Sequence, residues 1–228
     1  MNPVFDRSVA NSRVVSKVLS ILLLQLNAKA KIDLAKTHLV GKDLGAHMAG
    51  QVGNELSNHK RAKLFKITAF DPPSDLFEDR ADEDRIDPHD ANHVEVVHTN
   101  TNRKEFVQGP VGLADVFVYD SHRPNLQPLV SLFANQPRFR SNSEVDLRMR
   151  AVLGSNSTLK NEKDCHLIAF RCENYASFLD GKCSLCDNEL NCKLIGLWSS
   201  QLATKFEKSG KPFQYYSIQS TDRTPCGE

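Results

Sequence analysis

The sequence predicts an α/β fold, a largely parallel sheet flanked by helices, and two observations carry that prediction. Segments with helical apolar spacing alternate along the chain with short β-branched or aromatic runs, the order that a parallel sheet with crossover helices produces. The composition, 40% hydrophobic and 25% charged over 228 residues, is that of a globular chain long enough to bury a core.

Residues 8–27 read as a helix because Val14, Val15, Val18, Leu19, Leu22 and Leu26 recur at helical spacing. Apolar groups occupy much of its circumference, so this helix is expected to lie buried beneath other elements. Thr37 to Val40 is a short strand, stopped at Gly41, and Leu44 to Leu56 returns to helix through the small-residue run Gly45 to Gly50. Leu64 to Phe70 is a second strand, ended by Asp71-Pro72-Pro73 because proline has no N–H for a ladder. An acidic loop, 74–90, precedes strands at Val94–Thr99 and Ala114–Tyr119. Residues 121–164 carry no clear strand and one amphipathic helix near Glu144 to Leu153, and Phe213 to Ser220 supplies a last strand.

Charge and hydropathy narrow the partners. Lys and Arg number 29 against 28 Asp and Glu, so nothing recommends nucleic acid. The longest apolar cluster, Val18 to Leu26, is interrupted by Ser20 and Gln25, so no transmembrane segment is expected. All six cysteines fall between Cys165 and Cys226. Zinc ligation through Cys183-x-x-Cys186, completed by Cys192 with Cys172 or His166, is one use for them. Disulfides are the other, and they imply an oxidising compartment. Asn156-Ser157-Thr158 is an N-glycosylation sequon that agrees with a secreted loop.

The turn at 39–50 reads Leu-Val-Gly-Lys-Asp-Leu-Gly-Ala-His-Met-Ala-Gly. A strand, a glycine, one residue, a nucleophile position, one residue and a second glycine make a nucleophile elbow. Both glycines are expected to be required, because larger side chains would meet the adjoining strand and helix. This run resembles the pancreatic-lipase family of secreted lipases, phospholipases A1 and related yolk proteins. The likeness continues through Ile67 to Pro72, Arg85 to Ala91, Val94 to Thr99, Asp115 to Tyr119 with Gln127-Pro128, and Cys172 to Tyr175 with Gly181, Cys183 and Cys186. It implies an α/β-hydrolase fold as a single domain over residues 1–228, with first strands that would precede Met1. Within it, 121–164 would be a lid-like region and 165–192 a disulfide-rich segment.

The same resemblance assigns the site. Asp43 falls on the position of the catalytic serine, preceded by Lys42 where histidine is usual. A carboxylate has no hydroxyl proton for an imidazole to remove, so serine chemistry is not expected here. Asp71 falls on the triad acid, and an aspartate before proline also serves as an ordinary turn residue. His166 follows Cys165 in the manner of the family's catalytic histidine but lies too close to Cys172. On spacing, the catalytic position falls near Ser141 to Glu144, which holds no histidine. The N–H of Leu44 would be one oxyanion donor, and the other would come from a loop preceding Met1. The remaining histidines, His47, His38 and His98, are expected to be structural.

Asp87 and Asp90, with the carbonyls of Asp82 and Arg85, match the family's loop for a structural Ca²⁺, which takes hard oxygen ligands. The alternative is a solvated acidic loop. The resemblance pairs Cys172 with Cys183 and Cys186 with Cys192, which leaves Cys165 for Cys226. Leu129, Val130, Leu132 and Phe133 in the lid-like region would either line an apolar groove or pack on their own loop. The expected protein is a secreted, catalytically inactive lipase homologue with a lipid-binding or storage role. The competing expectation is an active ester hydrolase of the lipase or phospholipase A1 type, or an enzyme that uses Asp43 as its nucleophile.

Overall fold

The computed structural model describes residues 3–30, 32–60, 62–98, 111–112, 114–120, 168–183, 185, 191–194 and 213–219. The chain divides into two compact units, Met1–Val97 with Arg103–Asp115, and His98–Asn102 with Val116–Glu228.

The first unit is layered helix on sheet. Helix α1 (Pro3–Ala30) is followed by strand β1 (His38–Lys42), helix α2 (Leu44–Lys60), and strands β2 (Leu64–Phe70) and β3 (Ala91–His98). The strands run parallel in the order β1-β2-β3, with Leu39, Ile67 and Val94 in one row and Gly41, Ala69 and Val96 in the next. Those rows face the helices, and Ile67, Ala69, Val94 and Val96 join Ala46, Ala49, Val52 and Leu56 of α2 and Leu23 of α1 in one core. Strand β2 has the bounds its flanking residues dictate. Strand β1, however, runs through Gly41 to Lys42, because the turn that ends it is made by Asp43 and not by the glycine.

The opposite face of β2 and β3 is polar and yet buried. Val40, Thr68 and Glu95 share a row there, as do His38, Lys66 and His93. Lys66 Nζ lies 2.8 Å from Glu95 Oε2, with both side chains 3% exposed. Thr68 Oγ1 donates to the same carboxylate at 3.5 Å and pairs with His38 Nε2 at 2.9 Å. Burial and the Lys66 charge push the His38 imidazole down to about 4, with Glu95 opposing.

Helix α1 corrects the sequence reading. Val14, Val15, Val18 and Leu22, among the apolar residues from which burial of the whole helix is expected, are 65%, 50%, 61% and 47% exposed, and Leu26 is exposed too. The buried side holds Ser12, Ser16, Ser20 and Leu23. Ser16 Oγ donates to Gln51 Oε1 of α2 at 2.9 Å, Arg13 pairs with Asp84 at 2.6 Å, and Lys17 pairs with Glu55. Small side chains at i, i+4 and i+8 let the helices approach, and ion pairs close the flanks. By length and composition alone this helix is also long and apolar enough to cross a membrane.

In the second unit the strand order is β4 (Ala114–Asp120), β7 (Phe213–Gln219), β5 (Ile168–Arg171) and β6 (Cys192–Leu194). Strand β5 pairs antiparallel with both β6 and β7. A short helix α3 (Tyr175–Leu179) is capped by Asn174, whose side chain accepts from the Ser177 N–H.

Candidate functional site

The site is built at the carboxyl ends of β1 and β2. At Gly41 a Cβ would stand 2.1 Å from the Gly45 carbonyl oxygen, so only glycine lets the strand pass over the first turn of α2. At Gly45 a Cβ would meet nothing within 4 Å, so the second glycine of the pattern is not required by contact. Asp43 sits between strand and helix at φ +51°, a left-handed conformation costly for a residue with a Cβ. Its N–H donates to the Phe70 carbonyl at 3.0 Å, and its carbonyl accepts from the Ala46 N–H at 2.9 Å. This is the sharp, strained elbow that the sequence pattern predicts. Leu44 opens α2, in the first turn whose N–H groups have no intrahelical acceptor.

Asp71 occupies the end of the neighbouring strand, also left-handed at φ +45° and 4% exposed, its N–H donating to the Val97 carbonyl at 3.0 Å. The strain at Asp71 was not legible, because Asp-Pro suggests a turn without saying which backbone region it needs. The Asp43 carboxylate is half-exposed and lies 3.6 Å from Lys42 Nζ. Burial pushes the Asp43 carboxyl up, Lys42 draws it down, and Asp71 raises it further. The structure therefore brings Lys42, Asp43 and Asp71 together, two carboxylates and an ammonium on adjacent strand ends.

Among the described residues no histidine bonds to Asp43. His47, one turn into α2, is fully engaged elsewhere: Nε2 meets the Pro73 carbonyl at 2.8 Å and Nδ1 accepts from the Ile86 N–H at 3.2 Å. Its ring stacks on Phe77 at 3.8 Å. A ring that donates from Nε2 and accepts at Nδ1 is the neutral tautomer, and burial pushes its pKa down to about 4. His47 thus pins α2 to the loop after β2. His98 stacks on Phe117 in the second unit. His166, the residues near Ser141, the lid-like region 121–164 with its Leu129, Val130, Leu132 and Phe133, and Asn156 all lie outside the described residues.

The acidic loop folds onto α2. The Asp87 N–H donates to Asp90 Oδ2 at 2.8 Å, while Asp87 Oδ1 accepts from the His89 N–H at 2.7 Å. Asp90 is 1% exposed, its Oδ1 is buried without a hydrogen-bond partner, and burial beside Asp87 pushes its carboxyl up to about 9. Gly50 and Gly53 make room, since a Cβ would stand 2.6 Å from Asp90 Oδ2 at the first and 2.2 Å from the Asp90 carbonyl at the second. Arg85 takes the Asp82 carboxylate at 2.7 Å, and its N–H donates to the Asp82 carbonyl at 3.3 Å. No group of three or more His, Cys, Asp or Glu side chains converges among the described residues. Two carboxylates with one orphaned oxygen are hard donors that fit a hard cation and not a transition metal.

Cys172 and Cys183 form a disulfide, their Cα atoms 5.7 Å apart. That pairing matches the expectation drawn from the resemblance and removes both residues from a zinc site. Cys192 is also disulfide-bonded, whereas Cys165, Cys186 and Cys226 lie outside the described residues.

Comparison with known proteins places these features. A family profile described as Lipase matches residues 2–225. Phospholipase A1 member A of Bos taurus is 34% identical over 197 residues, covering 86% of this chain and 40% of that protein. Pancreatic lipase-related protein 3 of Homo sapiens is 30% identical over 217 residues, 90% of this chain and 44% of the other. Hepatic triacylglycerol lipase of Mus musculus is 30% identical over 229 residues, 93% and 44% respectively. The chain spans less than half the length of these relatives.

Proposed function

The chain belongs to the Lipase family, and from that premise we propose that it is a secreted, catalytically inactive lipase homologue that holds a lipid or serves as a storage protein. The observation that carries this reading is Asp43, a carboxylate at the strained turn between β1 and α2 where acyl transfer needs a hydroxyl. Among the described residues the histidine near the elbow is His47, which is held neutral by a carbonyl and an N–H and is in no position to act as a base. In serine hydrolases, loss of the nucleophile alone costs about 10⁶-fold in kcat. The names of the relatives, a phospholipase A1 and a triacylglycerol lipase, support lipid as the ligand class. The disulfides support an oxidising compartment. Purified protein is expected to give no turnover of short-chain nitrophenyl esters, and solvent extracts of the native protein to contain lipid by mass spectrometry. Turnover that Asp43→Ala abolishes would overturn the reading in favour of a hydrolase that uses the elbow aspartate. Extracts free of lipid would remove the binding role.

Calcium belongs to the same proposal. Asp87 and Asp90, with the carbonyls of Asp82 and Arg85, would hold the ion, and its role would be to neutralise two adjoining buried carboxylates and fix the loop on α2. Saturating calcium, at about 100 times its Kd, is expected to add ~2.7 kcal/mol to stability, or about 5–10 °C in Tm. Asp90→Asn is expected to erase the shift. Equal melting temperatures in calcium and in EDTA would exclude the site.

A further inference from the structure

Helix α1 presents a stripe of aliphatic side chains that nothing described in the first unit covers. Val14, Val15, Val18, Ile21 and Leu22 are all between 47% and 65% exposed and lie on consecutive turns of the face opposite the Ser12, Ser16 and Ser20 contact. Scattered exposed aliphatics need no explanation, but a contiguous patch on one face marks an interaction surface. The stripe ends in cations. Arg7 lies in line with it one side, Lys29 on the other, and between them the exposed polar residues on this face are Asn11 and Gln25. No acidic residue lies on the stripe; Asp6, the one acid in the helix, projects from its flank.

Charge selects the occupant. Two copies of the chain paired through this face would set Arg7 against Lys29 in an antiparallel crossing, and each cation against its twin in a parallel one. Like charges across an interface disfavour both. An anionic lipid surface instead accepts the aliphatic centre among its acyl chains and pairs its phosphates with both ends. The helix would lie along such a surface and not across it, because its serine face is hydrogen-bonded to α2 and its Arg13 and Lys17 flanks are ion-paired to Asp84 and Glu55. We propose that the Val14–Leu22 face of α1 is a docking surface for an anionic lipid membrane. This goes beyond the inactive-homologue reading and stands whether or not Asp43 supports turnover.

The test is flotation of the full chain with vesicles of phosphatidylcholine containing about one-third phosphatidylserine, against vesicles of phosphatidylcholine alone. Wild-type protein is expected to float with the anionic vesicles, and the double variant Val18→Asp, Leu22→Asp to lose at least ~10-fold in binding while its circular dichroism and Tm stay unchanged. A second variant, Arg7→Glu with Lys29→Glu, is expected to lose the preference for the anionic vesicles. Failure of the wild type to float, or flotation indifferent to the double variant, would overturn the proposal. So would a Tm lowered by several degrees in the aspartate variant, since the stripe would then be covered within the protein. A dimer that this variant dissolves would assign the face to a second copy instead.

Discussion

Glu95→Ala is expected to lower the stability of the protein by about 3–5 kcal/mol, the loss that follows when one partner of a buried ion pair is removed. The Lys66 ammonium, 3% exposed and 2.8 Å from the carboxylate, would lose this counter-charge in a buried layer on the sheet face. Thr68 Oγ1 would lose an acceptor as well, which loosens its pairing with His38. The double variant Lys66→Met, Glu95→Leu keeps the volume and removes both charges, so it is expected to cost far less than the single change. Urea unfolding of the wild type and the two variants measures both. A loss under about 1 kcal/mol for Glu95→Ala would show the pair to be solvated and the layer to be wet.

That layer also shows where a sequence reading stops. Val94-Glu95-Val96-Val97 is recognisable as a strand, and its alternation correctly separates a helix-facing row from the other row. Alternation then suggests that the Glu row faces water, whereas Lys66, Thr68, His93 and Glu95 are all buried. Nothing local in the chain tells a buried polar row from a solvated one, because the difference lies in what covers it. The same limit applies to α1, where apolar residues around the circumference imply burial throughout, whereas the serine side is buried and the valine side is exposed. Periodicity locates the helix but not its partner, and the partner, α2, makes its contact through Gln51 and Glu55. The elbow was legible for the opposite reason. A turn too tight for a Cβ at Gly41 writes its requirement into one position, and Pro72-Pro73 does the same for the end of β2.

Acid is expected to remove about 3 kcal/mol of the stability that His47 supports above pH 6.5. Folded, the imidazole is buried and its pKa is pushed down to about 4 from an unfolded value of 6.5. As pH falls through 6.5 the unfolded chain takes up a proton that the folded chain refuses until about 4. The contribution is therefore whole above 6.5, declines across that window, and is gone below it. His38 acts in the same direction with a smaller weight, since its ring is partly exposed. Asp90 acts in the opposite direction, because its raised carboxyl keeps a proton that the unfolded chain releases. A comparison of the wild type with His47→Gln in EDTA cancels both, as the two chains share them. Glutamine forfeits the stack on Phe77 and the paired contacts to Pro73 and Ile86, so the variant is expected to be less stable at pH 7. The gap should then close by up to about 3 kcal/mol between pH 6.5 and 4. Urea unfolding at intervals across that range measures it, and a gap that stays constant would mean that protonated His47 is accommodated in the fold.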